Sequence, residues 1–373
     1  TSNTVAVDVA FTPVGVGLTA APADPVYGQK LSFIATVTGN NPTGTVAFLE
    51  GTTQRAKVLL KNGQAVYTSQ TLAAGAHTLV AKYLGDANDA ATKSAPLTVT
   101  IAQAEQAALA LTATPTQLIS GGKATLKAIG GTGIGAIRYA AIPEGAVTCA
   151  ITTNVLTARG GPGRCVITAA KLGNANYLPV TSNTVAVDVA FTPVNVGLTA
   201  APADPVYGQK LSFIATVTGN NPTGSVAFLE GTTQRAKVLL KNGQAVYTSQ
   251  TLAAGAHTLV AKYLGDPNDA ATNSPPLTVT IAQAEQAPLT LTATPNQLVS
   301  GDAGAQLAVS GGSGPGGLTW TVTASGASVC KITLAKVLKA TGGAGACEVT
   351  VTRAGSANYR PASTTLSVPV SAP

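Results

Sequence analysis

Four cysteines are the side chains of this sequence best placed to form a covalent bond. They come as two pairs, Cys149 with Cys165 and Cys330 with Cys347. Each pair could be a disulfide, two free thiols or part of a metal site. Two cysteines are too few for a closed zinc site, and no histidine lies near either pair in sequence. An even count with matched spacing reads as Cys149–Cys165 and Cys330–Cys347 disulfides made in an oxidising compartment. A bridge closing so short a loop stabilises by ~3 kcal/mol if it acts by restricting the unfolded chain.

Oxygen ligands cluster in YLGDANDAAT, where Asp86, Asn88 and Asp89 fall within four residues. The stretch returns as YLGDPNDAAT, with Asp266, Asn268 and Asp269. Calcium takes six to eight oxygen ligands. An Asx turn, in which Asp or Asn accepts from the backbone just ahead, explains the same letters with fewer demands. The turn is the reading taken; calcium is the alternative, and no other cofactor is expected. His77 and His257, the two histidines, lie in matching segments with no nucleophile motif around them. Each reads as a strand residue with a polar tip. Tyr83 and Tyr263 are candidate tyrosine corners. Trp320, in GLTWTVT, reads as core. No trio of Lys, Asn and acid that could form an isopeptide bond is identifiable. No catalytic constellation emerges, and an enzyme is not expected.

The elements that hold these residues are strands. Forty Gly and twenty-two Pro divide the chain into short segments rich in Val, Thr, Leu and Ile. Charged residues are only 10%, and the net charge of +7 is spread thinly, with Lys57 and Lys61 separated by apolar residues. That pattern lacks the basic stripe that nucleic acid requires. No run of 18 apolar residues could span a membrane, and no signal-peptide pattern opens the chain. The absence of Met suggests a piece of a longer or processed protein.

Residues 1–119 and 181–299 align without a gap, differing at scattered positions that include Ala87/Pro267, Ala95/Pro275 and Ala108/Pro288. The 180-residue period suits two small sandwiches of about 90 residues each. The predicted domains are type A over 13–101 and 193–281, and type B over 102–192 and 282–373. In type A, LSFIATV turns Leu31, Phe33, Ala35 and Val37 to one face, and AHTLVAKY does so with Leu79, Ala81 and Tyr83. Asn62-Gly63, between two apolar runs, is a strong hairpin signal. Type B reads as LALTATP, ATLKAIG, AIRYAAI, TCAITTN, VLTARG and RCVITAAK, closed by TVAVDVA with Val185, Val187 and Val189 inward. In this map each cysteine pair flanks one intervening strand. The opening stretch repeats TVAVDVA, so residues 1–12 read as the closing strand of a type B domain that precedes them. Val5, Val7 and Val9 on one side of it form a possible strand-addition segment.

The motif GTVAFLEG…AGAHTLVAKYLGDANDAATKSAPLTVTI resembles the bacterial immunoglobulin-like repeats of large surface and secreted adhesins. The type B motif, CAITTNVLTARGGPGRCVITAAKLGNANYLPVTS, resembles another variety of the same superfamily. The resemblance implies an all-β fold: tandem immunoglobulin-like β-sandwich domains in an elongated array, exposed on a bacterial cell surface or secreted. The function it implies is a structural stalk. The alternatives are a filament subunit joined by strand addition, or a module binding a glycan or host protein. The expected partners are neighbouring repeats of the same chain, with other copies of the protein or a host surface ligand left open.

Overall fold

The computed structural model describes Thr4, Val5 and residues 10–373. Every helix-length or strand-length element among the described residues is a β-strand, as the short Val/Thr-rich segments predict. Of the expected strand-addition segment, Val7 and Val9 lie outside the described residues; Val5 is exposed. The chain divides into two compact units, Thr1–Ala190 and Phe191–Pro373. The division falls two residues before the 193 expected from sequence. Each unit holds two separate apolar cores, one in an A domain and one in a B domain.

The first A domain contains β1 (Gly15–Ala21), β2 (Leu31–Thr38), β3 (Thr45–Glu50), β4 (Thr53–Leu59), β5 (Gln64–Ser69), β6 (Gly75–Tyr83), β7 (Thr92–Lys93) and β8 (Leu97–Ile101). One sheet has the order β1-β2-β5; the other has β4-β3-β6-β7, with β8 also on β6. Period-2 alternation places Leu31, Phe33, Ala35 and Val37 of β2 against Val46 and Phe48 of β3, Leu79, Ala81 and Tyr83 of β6, and Val99 and Ile101 of β8, all buried. Tyr67 joins the layers: its ring stacks on Phe33 at 5.9 Å and tilts over Phe48 at 5.7 Å.

Asn62 and Gly63 both have positive φ, 49° and 70°, as a type I′ turn requires. A hairpin does not follow. Lys61 and Gln64 exchange both backbone bonds, and then β4 pairs with β3 while β5 pairs with β2. The turn carries the chain from one sheet to the other, because the apolar sides of β4 and β5 are claimed by opposite layers of the core.

The first B domain contains β9 (Leu109–Thr114), β10 (Gln117–Ile119), β11 (Lys123–Gly130), β12 (Ile137–Thr152), β13 (Val155–Lys171), β14 (Val180–Thr181) and β15 (Val185–Ala190). Here the structure corrects the strand map. AIRYAAI and TCAITTN are one strand of 16 residues, and VLTARG and RCVITAAK are one of 17. Together they form a single long hairpin with a bulge between Gly145 and Val147. The first part of β13 pairs with β11, its middle with β15 and its end with β14. The hairpin therefore serves both layers of the core. Val187 and Val189 of β15 are buried, as expected for a closing strand.

The second unit repeats this plan. Its A domain has the same sheet orders and registers, displaced by 180 residues. Its B domain carries the same long hairpin, Leu318–Ile332 with Val337–Arg353, and closes with Ala362–Ser371. Trp320 lies partly buried against that core, with the Lys336 ammonium 5.2 Å from its ring.

Candidate functional site

The disulfides Cys149–Cys165 and Cys330–Cys347 are formed. No strand intervenes between the partners. Cys149 lies on β12 and Cys165 on β13, and the ladder sets Cys165 opposite Pro143, six residues from Cys149. Six residues along a straight strand span about 20 Å, yet the two Cα atoms are 5.9 Å apart. The hairpin must therefore fold over sharply at the bulge, and the disulfide staples its two halves. Gly145 has φ 88° there, a conformation that a side chain disfavours.

The turn after β6 is an Asx turn. Asp86 Oδ1 accepts from the amides of Asn88 and Asp89, both at 2.8 Å. Its other oxygen accepts from the amide and hydroxyl of Thr43. The Thr43 hydroxyl and these amides hold the Asp86 carboxyl far below the usual carboxylate range. In the second copy burial works against the shift, but Thr223 and the turn amides still keep Asp266 low. Asp89 and Asp269, the last carboxylates of the two turns, are buried, each 1% exposed. Among the described residues no group of three His, Cys, Asp or Glu could hold a metal ion.

Tyr83 and Tyr263 close their strands with the hydroxyl set beside Asp86 and the Thr43 backbone, and beside Asp266 and the Thr223 backbone. Both hydroxyls are buried and make no close hydrogen bond. Burial, reinforced by Asp86 and Asp89, pushes the Tyr83 hydroxyl up to about 12. Burial and the same pair of carboxylates, Asp266 and Asp269, push Tyr263 in the same direction.

His77 stands in β6, as expected, within a network that its sequence surroundings do not announce. Its Nδ1 lies 2.7 Å from Glu50 Oε1, and its Nε2 lies 2.8 Å from the Ala73 carbonyl oxygen. Arg55 donates to the other Glu50 oxygen. Burial opposes ionisation of Glu50, but His77 and Arg55 outweigh it and lower its pKa. His257, Glu230 and Arg235 repeat the arrangement.

This network supports the turn after Leu72, and that turn meets the B domain. The Ala74 amide donates to Asn176 Oδ1 at 2.9 Å. Beside it the rings of Tyr27 and Tyr177 meet edge to face at 5.3 Å. The linker between the domains is bonded on both sides. Ala102 donates to the Pro25 carbonyl and accepts from Tyr27 in the A domain. Ala104 donates to the Asn176 carbonyl and accepts from Leu178 in the B domain. Gln103 and Gln106 add side-chain bonds to carbonyls of the B-domain turn. That turn, KLGNANY, matches YLGDAND: Asn174 Oδ1 accepts from Asn176 and Tyr177 as Asp86 does from Asn88 and Asp89. The second unit repeats the joint with Tyr207, Tyr359, Ala254 and Asn358.

These features define tandem immunoglobulin-like sandwiches whose built sites are staples, turns and joints. Residues 18–102 and 198–282 match the family described as the bacterial Ig-like domain, group 3. The two A domains are bacterial Ig-like domains of that group. No curated protein matches the chain. Among solved structures, similarity is found to the Escherichia coli adhesin FdeC, with 18% identity, 74% of this chain and 98% of that one covered, and a TM-score of 0.25. Fibronectin(III)-like modules of Clostridium thermocellum CbhA show 15% identity, coverage of 72% and 95%, and a TM-score of 0.21. The ICAM-5 D1–D4 fragment shows 14% identity, coverage of 95% and 100%, and a TM-score of 0.35.

Proposed function

We propose that the chain is a run of spacer repeats in a bacterial cell-surface or secreted protein, serving to hold another part of that protein at a distance. The observation that carries this reading is the A–B joint. Its linker is bonded on both sides, its turn amide meets Asn176, and its rings pack edge to face. A joint so tied transmits position from one domain to the next, which is what a spacer must do. Disulfides in both B domains suit an oxidising exterior. A charged fraction of 10% leaves Thr, Ser, Asn and Gln to keep the surface wet without binding counter-charges.

The test fuses a binding domain of known ligand to one, two or three copies of the 180-residue repeat. Its height above a surface is then measured. A spacer gives a constant added height per repeat and unchanged affinity of the tip. Height that fails to grow with repeat number, or micromolar capture of a glycan by the repeats alone, would overturn the reading.

A further inference from the structure

The turn that receives the incoming chain is built two ways. In the B domains its receiving residue is Tyr177 or Tyr359, bridged to Ala104 or Ala284 of the linker. In the A domains the same place is held by Asp89 or Asp269, bridged to Thr12 or Thr192. A tyrosine there is satisfied by the ring of Tyr27 or Tyr207. An aspartate is not. Asp269 is 1% exposed, neither of its oxygens has a close hydrogen-bond partner, and no ion pair of the described residues includes it, although the Thr192 side chain bears on its charge.

We propose that Asp269 is a proton-operated latch: as a neutral acid it lets residues 191–193 dock on the A domain, and as an anion it releases them. The groups that bear on it are the Asp266 carboxylate, the Tyr263 hydroxyl and the Thr192 side chain. Asp266 is already satisfied by Thr223 and the amides of Asn268 and Asp269, so it stays ionised. An ionised Asp269 is then a buried anion beside a second anion, with no cation to offset it. Such burial is unfavourable unless the group takes a proton or reaches water. Burial and Asp266 raise the Asp269 pKa, while Thr192 works the other way. To reach water the carboxylate must swing out of the turn. The Thr192 amide bond to the Asn268 carbonyl, 2.9 Å long, lies directly on that turn. A group with a raised folded pKa gives stability that is complete at low pH and is lost as pH rises through the raised value. Docking therefore weakens toward alkaline pH. Asp89 occupies the same place in the first copy, buried and with both oxygens unpartnered.

The experiment uses the full chain. Amide hydrogen exchange of Thr192, corrected for intrinsic rate, is followed from about pH 4 to about pH 9 beside the Asp269 carboxyl resonance. The expected result is a carboxyl titrating above the ordinary range, with protection of Thr192 falling by about tenfold per pH unit between the ordinary carboxyl range and that midpoint and levelling off above it. In Asp269→Asn the protection should become independent of pH. Thr192→Val, which keeps the backbone bond and removes the hydroxyl, should move the titration further up. Flat protection in the wild type, or pH dependence that survives Asp269→Asn, would overturn the latch. So would protection restored at high pH by calcium and abolished by a chelator, since a cation and not a proton would then neutralise the carboxylate.

Discussion

Glu50 and Asp269 are both partly or fully withdrawn from water, and they respond to acid in opposite directions. Glu50 accepts from Arg55 and meets His77, so its pKa falls. A lowered folded pKa gives stability that is present above the ordinary glutamate range and is lost as pH drops below it. Glu230 behaves likewise. Denaturant titrations from about pH 6 down to about pH 3 should therefore show falling stability, and Glu50→Gln with Glu230→Gln should flatten that fall. Unchanged pH dependence in the double variant would show that the network contributes nothing in the folded state. His77→Ala removes the ring that joins Glu50 to the Ala73 carbonyl. It should cost about 1–2 kcal/mol, the worth of a charge-assisted bond and its desolvated partner, read as a shifted denaturation midpoint. The sequence showed His77 as a strand residue because Leu79, Ala81 and Tyr83 alternate with it. It could not show Glu50 and Arg55 beside it, because that contact is made by pairing β3 with β6 and β4, a tertiary event. Asp89 was legible as a turn residue for the same local reason. Its inward orientation was not, since Asn174 and Asp86 make the same turn around a tyrosine and an aspartate alike.

At the scale of elements, strand alternation was legible wherever one face is buried, and strand continuity was not. The letters PEGAV around Gly145 and GGPG around Gly161 read as breaks, since Gly and Pro interrupt ladders. In the fold these residues let one hairpin bend while most of its ladder persists. The Asn62-Gly63 signal shows the converse: the turn forms as its letters require, and the ladder stops after one bridge because the two strands belong to different sheets. The bent hairpin has a mechanical consequence. Cys149 and Cys165 are 16 residues apart in sequence and bonded, so an oxidised B domain pulled from its ends cannot release the chain between them. Those residues extended span about 55 Å, less the width of the bridge. Single-molecule stretching should show two of the chain's unfolding steps lengthening by about 50 Å each after reduction, with the A-domain steps unchanged. Equal steps before and after reduction would mean the hairpin lies outside the force-bearing structure.

At the scale of the whole molecule, the chain alternates two kinds of domain, and the proposed spacer role would rest on its joints more than on its cores. The cores are redundant: either A domain alone buries the same Phe and Leu positions. The joint rests on few atoms, chiefly the Ala74–Asn176 bond, the Tyr27–Tyr177 pair and the linker bonds of Ala102 and Ala104. A side-chain bond to a backbone amide contributes about 1 kcal/mol, and an edge-to-face pair about 0.5–1.5 kcal/mol beyond its buried area. Removing both through Asn176→Ala and Tyr177→Ala should weaken the joint by about 2 kcal/mol, or roughly thirtyfold in its opening equilibrium. The linker amides of Ala102 and Ala104 should exchange faster by that factor, while core amides such as Phe33 and Ile167 keep their rates. The repeat supplies the control. The second unit carries the same joint through Tyr207, Tyr359 and Asn358, and its linker amides at Ala282 and Ala284 should be unmoved in the same sample. If both linkers accelerate together, the substitutions act through global stability. If neither does, the linker bonds alone hold the pair, and the aromatic contact adds nothing to the joint.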